Sequence, residues 1–170
     1  MGVEQILPHV PALRRYARLL AGDAARADDL VQDTLERACA KWAQWRPGPA
    51  LRAWLMTLMH NLYLNQVRDR RHDDGAAGLD ETAEPSHEPL ARAPEMMDLE
   101  RAVARLPPAL RAVLLLVGVE EYTYAEAAGI LDVPVGTVMS RLHRARESVR
   151  AMMEPAAGEP PRPPLELVRK

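Results

Sequence analysis

Apolar residues recur along this chain at steps of three and four, the spacing that gathers them on one face of an α-helix. Val10, Leu13, Ala17 and Leu20 form one such stripe, closed by Gly22, a residue suited to the left-handed conformation that ends many helices. Leu30, Val31, Thr34, Leu35 and Ala38 form a second, and Leu51, Trp54, Leu55, Leu58 and Leu62 a third. Farther on, the pattern predicts a helix over 96–106, stopped by Pro107-Pro108, and a buried helix over 110–117, stopped by Gly118. No stretch alternates with the two-residue period of a half-buried strand, so the predicted fold is all-α.

The most specific local pattern lies between Thr123 and Arg150. Thr123 and Glu126 have the spacing of a capping box, in which each side chain satisfies a backbone N–H at the start of a helix. The helix this opens runs Tyr124 to Leu131, with Ala127, Ala128, Ile130 and Leu131 on its apolar face. Asp132 stands at the turn where many such motifs have Gly, and Asp tolerates the left-handed conformation better than most residues. Pro134 prevents the first helix from continuing. A second helix then opens near Val135 to Thr137 and ends around Met153. Val138, Leu142, Ala145 and Val149 form its buried stripe, and Ser140, Arg141, His143 and Arg144 point away from it. Two helices joined by a tight turn, the second bearing Ser, Arg and His, make a helix-turn-helix suited to the major groove, where Arg binds guanine edges bidentately. Arg146 and Arg150, farther along, are placed for phosphates. Read only as a surface, the same face is a solvated one with Glu147 and Glu154 interspersed.

Residues 72–94 combine Gly, Pro and acidic side chains with few large apolar groups, a composition that reads as a flexible linker. The chain therefore divides into two small helical domains, 1–71 and 95–153, followed by a Pro-rich tail, 154–170, expected to be disordered. The second is a four-helix domain that includes the helix-turn-helix.

Bulk composition adds a partner. The formal charge of the 170 residues is −2, which is low for a protein that must neutralise phosphates unaided, so DNA binding is expected to be weak alone or to occur within a larger assembly. The single cysteine, Cys39, excludes an intramolecular disulfide framework and fits a reducing compartment; on a predicted helix between Ala38 and Ala40 it reads as a small core residue. The longest apolar run, Val113 to Val119, is too short to cross a bilayer, and the N-terminus lacks the pattern of a secretory signal. The expectation is a cytoplasmic protein without membrane insertion. The five histidines are scattered without metal-ligand spacing, and no nucleophile and base are paired, so neither a metal, a cofactor nor an enzymatic activity is expected.

In the first lobe, Asp28, Asp29 and Asp33 fall where a helix is predicted to start, and complementarity to the helix dipole is the simple reading of the first two. Arg52, Trp54, Asn61, Tyr63, Asn65, Arg68, Arg70 and Arg71 follow on one helix. Aromatics stack on unpaired bases, Asn reads a base edge and Arg holds phosphates, so the set suits single-stranded DNA. Trp54 itself lies on the apolar stripe and reads as core.

Asp-Asp-Leu-Val-Gln-Asp-Thr-Leu at 28–35, Leu-Arg-Ala-Trp-Leu at 51–55, His-Asn-Leu at 60–62, Leu-Pro at 106–107, Tyr-Ala-Glu-Ala-Ala at 124–128 and Val-Gly-Thr-Val-Met-Ser-Arg-Leu-His-Arg-Ala-Arg at 135–146 together resemble bacterial RNA polymerase sigma factors of the extracytoplasmic-function (ECF) type. The resemblance spans about residues 10–150, in order. It implies a non-enzymatic initiation factor that recruits core RNA polymerase, recognises minus-35 and minus-10 promoter elements and promotes DNA melting, in a stress or envelope response under anti-sigma control. By the same resemblance, Asp28, Asp29, Leu30, Gln32, Asp33, Leu35 and Arg37 would dock on the clamp of the polymerase largest subunit. Asn61 would line the pocket for a base flipped from the minus-10 element, with Asn65 and Arg68 facing the melted strand. Ser140, Arg141, His143 and Arg144 would face the minus-35 element. The chain departs from many relatives in lacking an aromatic near Leu35, a basic residue at Met139 and an acidic one at Asn65. Two other functions remain open on the residues: a helix-turn-helix regulator acting without polymerase, which would ordinarily dimerise on paired half-sites, and a sigma mimic that sequesters an anti-sigma factor.

Overall fold

The computed structural model describes residues 2–46, 50–73 and 94–154. Among them there is no strand; seven α-helices and two short 3-10 segments carry the regular structure. The linker expected over 72–94 and the tail expected over 154–170 lie almost wholly outside the described residues. His72 and Asp73 still belong to a helix, and Pro94 opens the next one.

The first lobe holds three helices: α1 (Val10–Ala21), α2 (Ala24–Ala40) and α3 (Leu51–Asp73). A 3-10 segment, Val3–His9, precedes α1 and inserts Ile6 into the core. Gly22 ends α1 in the left-handed conformation, at φ 70°, and its N–H bonds the Arg18 carbonyl. One residue later Asp23 caps α2 by accepting from the Arg26 N–H at 2.9 Å. This cap lies upstream of the expected start, so Asp28 and Asp29 stand in the second turn of α2 and no acidic residue occupies its first turn. Dipole complementarity, which fades beyond the first turn, therefore accounts poorly for them. Leu13, Tyr16, Ala17 and Leu20 from α1, Ala27, Leu30, Val31 and Ala38 from α2, and Leu55, Met56, Met59 and Tyr63 from α3 fill the lobe.

Cys39 corrects one expectation, because its side chain is exposed. The buried face of α2 passes through Ala27, Leu30, Val31, Thr34 and Ala38. Cys39 stands one residue, about 100° of helix rotation, past Ala38 and so turns outward.

The second lobe contains α4 (Pro94–Ala104), α5 (Pro108–Gly118), α6 (Tyr124–Leu131) and α7 (Val135–Met153). α4 ends at Ala104, short of the 106 expected, and after a two-residue turn Pro107 caps α5, which Pro108 opens at the position where its missing N–H costs nothing. The helix-turn-helix forms as the sequence predicts. Thr123 Oγ1 accepts from the Glu126 N–H at 3.2 Å, and the Glu126 carboxylate accepts from the Thr123 N–H at 2.8 Å. Asp132 adopts φ 54°, the left-handed turn required there. Val138, Leu142 and Ala145 are buried, and Val149 packs at the edge of the core.

The two lobes pack on each other. α1 and α3 meet α4, α5 and α6, and one continuous apolar cluster runs from Ile6 and Leu13 through Leu55 and Met59 to Val113, Leu116, Ile130 and Leu142. Arg111 spans this seam although it is buried. Its guanidinium donates to the carbonyls of Leu20, at 2.7 Å, Leu106, at 2.9 Å, and Ala104. These are carbonyls at the C-terminal ends of α1 and α4, which lack helical partners and carry the negative end of the backbone dipole. A cation there needs no carboxylate.

Candidate nucleic-acid and polymerase interfaces

The exposed face of α7 is set by the capping and turn chemistry that precedes it. With Val138, Leu142 and Ala145 inward, Ser140, His143 and Arg144 are exposed, while Arg141 is half-buried. Arg141 lies close enough to act on the ring of His60 in α3. Met139, which the sequence reading left out of the site, is 53 % exposed beside Ser140, and Val135 is exposed one turn earlier. Apolar side chains on the outer face of such a helix have a physical partner in the thymine methyl group. Arg146 is exposed. Arg150 donates to Glu147 at 2.7 Å in an open surface pair, which contributes little to stability and yields to a phosphate.

On α3, Asn61, Asn65 and Arg68 are all exposed and follow one another at steps of four and three, so the structure brings them onto one face. Directly behind them His60 is buried, with Nδ1 unpartnered. Burial first, and the Arg141 charge second, lower the His60 pKa to about 4, so it is a neutral ring at physiological pH. Trp54 is half-buried and makes an edge contact with Trp42, whose ring stacks on Trp45 at 5.2 Å between centroids. The three indoles form a cluster at the end of α3 opposite Arg68. Sequence periodicity found only Trp54, because Trp42 and Trp45 lie in a short 3-10 stretch without a repeat.

The α2 residues separate into two kinds. Asp28, Asp29, Gln32, Asp33 and Arg37 are exposed and Leu35 is half-buried. Leu30 is fully buried in the lobe core and so supports this face from behind instead of contacting a partner. Asp28, Gln32 and Leu35, with Arg14 and Val31, line one shallow groove; Asp33 and Arg37, with Glu36, Ala40 and Leu62, line another. Gln66 in α3 donates to Asp33 at 3.2 Å and Gln32 to Glu36 at 3.1 Å, which fixes part of this polar surface. α2 packs against α1 and α3, and its outer face looks away from the second lobe.

Among the described residues no group of three or more His, Cys, Asp or Glu side chains is arranged to hold a metal ion. No helix among them is long and apolar enough to cross a membrane.

A helix-turn-helix lobe joined to a second helical lobe with an Asn, Trp and Arg face defines a transcription factor that meets DNA at two places. Residues 6–60 match the family described as the Sigma2 domain of PhyR, and residues 96–149 match Sigma-70, region 4. The chain is 38 % identical over 154 residues to the ECF RNA polymerase sigma factor EcfG of Rhodopseudomonas palustris, covering 88 % of this chain and 83 % of that one. It is 31 % identical over 156 residues to SigL of Mycobacterium tuberculosis, covering 86 % and 85 %. Among solved structures it resembles the sigma factor RpoE of Bartonella quintana, determined in complex with the anti-sigma factor NepR, with a TM-score of 0.75, 32 % identity, and coverage of 88 % and 94 %. The chain belongs to the ECF family of RNA polymerase sigma factors. It is thus a transcription initiation factor, a class that binds core RNA polymerase and promoter DNA.

Proposed function

We propose that this sigma factor docks on core RNA polymerase through the outer face of α2, reads a minus-35 element with α7 and captures the melted minus-10 strand with α3. The roles are Asp28, Asp29, Gln32, Asp33, Leu35 and Arg37 for docking, Asn61, Asn65 and Arg68 for the single strand, and Ser140, Arg141, His143 and Arg144 for the duplex. Its two functional units are 1–71 and 95–153, joined through 72–94, with 154–170 as a tail. It acts in the cytoplasm, in a stress or envelope response, and carries out no enzymatic reaction of its own.

The observation that carries this reading is the common face formed by Asn61, Asn65 and Arg68, exposed together on α3 while their neighbours His60 and Tyr63 are buried. A duplex-only regulator has no use for a second polar face of this kind. Opening DNA costs a few kcal/mol for each unstacked step, and a captured base offsets part of that. The two weak DNA sites act together once polymerase fixes their separation, through effective concentration, which is compatible with the net charge of −2.

An anti-sigma partner is part of the proposal, supported by the likeness to the RpoE chain determined with NepR. The match of residues 6–60 to the Sigma2 domain of PhyR favours one alternative, a mimic that sequesters the anti-sigma factor. Similarity weighs against it: the chain matches RpoE at 32 % identity and a TM-score of 0.75, but PhyRSL, which it covers just as fully, at 26 % and 0.62.

Transcription in vitro from fragmented genomic DNA, using core polymerase with and without this protein, tests the reading. New starts preceded by two shared elements are expected. Absence of new starts, with polymerase active under another sigma factor, overturns it; relief of a NepR-type inhibitor in the same assay would identify a mimic.

A further inference from the structure

The outer face of α7 changes chemistry along its length. Toward the C-terminal end it carries His143, Arg144, Arg146 and Arg150, all exposed. At the N-terminal end, Val135 to Ser140 include no charged side chain. Val135 is 42 % exposed and Met139 53 %. The two stand four residues apart, so their side chains adjoin on one stripe of the helix, which His143 continues. Ser140, next to Met139, is exposed, and its hydroxyl donates to the Thr137 carbonyl at 3.1 Å. With its proton so placed, the Ser140 oxygen is left as an acceptor. Gly136 precedes Met139 and Ser140 by three and four residues on the same face. A Cβ there would meet nothing within 4 Å, so the fold has room for a side chain. Its absence opens the helix backbone to close approach.

A recognition helix meets base edges with its N-terminal residues, and the side chains at these positions select among base pairs. Arg or Lys would favour guanine O6 and N7, and Asn or Gln would grip adenine through two hydrogen bonds. Positions 135–140 offer none of these. An exposed thioether chain and a valine have one counterpart in the major groove, the C5-methyl of thymine. A hydroxyl that can only accept matches an exocyclic amine, on adenine or cytosine. Of the base pairs, only A·T presents both a methyl and an amine. Single exposed apolar side chains are ordinary on a protein surface. Val135 and Met139 differ in adjoining each other on the face of α7 that bears the arginines.

We propose that Met139, flanked by Val135, is a specificity-determining residue of α7 that packs on a thymine methyl in the minus-35 element, while Ser140 accepts from the amine of adenine in an A·T pair. The assignment rests on α7 being the duplex-reading helix, as proposed above. Arg146 and Arg150 hold the helix against phosphates, which fixes its position and carries no sequence information. Sequence is then read at the N-terminal end through a buried methyl group and an accepted hydrogen bond. Burial of one methyl group corresponds to about a fourfold change in binding.

The test uses holoenzyme assembled from core polymerase and the full chain, on a promoter fragment mapped by its own transcription. Each thymine of the upstream element is replaced in turn by deoxyuridine, which removes the C5-methyl and keeps the base pair. Competition binding by the parent should weaken about fourfold at one thymine or two neighbouring ones. Met139→Ala should bind the unmodified fragment about fourfold more weakly than the parent and lose nothing further with deoxyuridine at those positions. Met139 is exposed and Ala is a strong helix former, so this variant keeps the fold. Replacing the paired adenine with purine, which lacks the amine, should weaken the parent and leave Ser140→Ala unchanged. Parent binding that is indifferent to deoxyuridine at every thymine overturns the proposal. So does a deoxyuridine effect of equal size in the parent and Met139→Ala, which would assign the effect to DNA shape. Failure of the underlying reading is distinct: a parent without polymerase-dependent starts is no sigma factor, and parent-like binding by Arg144→Ala, Met139→Ala and Ser140→Ala together would take α7 off the duplex.

Discussion

His60 shows how a single side chain ties this fold to pH. Its ring is buried and neutral, with the pKa lowered to about 4 by desolvation and then by the Arg141 charge. The unfolded chain takes up the proton near the ordinary value of 6.5, the folded chain only near 4, so protonation favours unfolding between these limits. Stability should be flat above about pH 6.5 and fall as pH drops toward 4, by roughly 3 kcal/mol at the bottom of the window. Urea unfolding at about pH 7 and about pH 5 should show this slope in the parent and a shallower one in His60→Leu. Equal slopes in both proteins would mean that His60 titrates normally. Its neighbour Asn61 is exposed and contributes nothing to the core, so Asn61→Ala should leave stability and polymerase association unchanged while reducing promoter opening, read by permanganate reactivity of unpaired thymines. Normal opening would remove Asn61 from the single-strand site. On α7, Arg144→Ala should weaken duplex binding by roughly 1–3 kcal/mol where Arg144 contacts a base, and relax selectivity at that position. An equal loss on scrambled duplexes would assign it to phosphate.

At the scale of elements, the helix-turn-helix is the most local structure in the molecule and was the most legible in the sequence. Its first helix is fixed by Thr123 and Glu126, three residues apart, and its turn by Asp132 and Pro134. Hydrogen bonding from Thr123 lowers the Glu126 pKa, so this cap is complete above the ordinary carboxylate range and is lost as pH falls through the lowered value. Thr123→Ala removes the acceptor for the Glu126 N–H and should cost about 1 kcal/mol, measurable as a lower urea midpoint with an unchanged slope. An unchanged midpoint would show that tertiary packing alone holds α6. Elements whose ends depend on less patterned residues were harder to read. The start of α2 lies at Asp23, a capping residue without a periodic apolar neighbour to flag it, which moved Asp28 and Asp29 into the second turn. Around Cys39, small residues on both sides conceal the boundary of the apolar face, and the cluster of Trp42 and Trp45 has no helical repeat at all.

Across the whole molecule, what the sequence concealed is long-range. The predicted helices account for each lobe separately, but Glu120 meets Arg15 across 105 positions and Arg111 meets the Leu20 carbonyl across 91, and no periodicity links such partners. Arg141, grouped with the exposed residues of α7 by its position in the sequence, proves half-buried. The docking face is the opposite case, since Asp29 and Asp33 lie one turn apart on α2, away from the second lobe. Replacing both with Lys reverses four units of local charge at a cost to the fold of one exposed hydrogen bond, that from Gln66 to Asp33. Exposed contacts of this kind contribute little to stability, so the thermal midpoint should stay within error of the parent. Core association should weaken by roughly tenfold or more, equivalent to at least about 1.4 kcal/mol, and chiefly through a slower on-rate, because exposed charges steer encounter. Competition against a labelled second sigma factor for limiting core polymerase, at two salt concentrations, reads this directly. A loss that shrinks at high salt supports an electrostatic α2 dock, whereas unchanged competition at both salts would put the polymerase contact on another face of the first lobe.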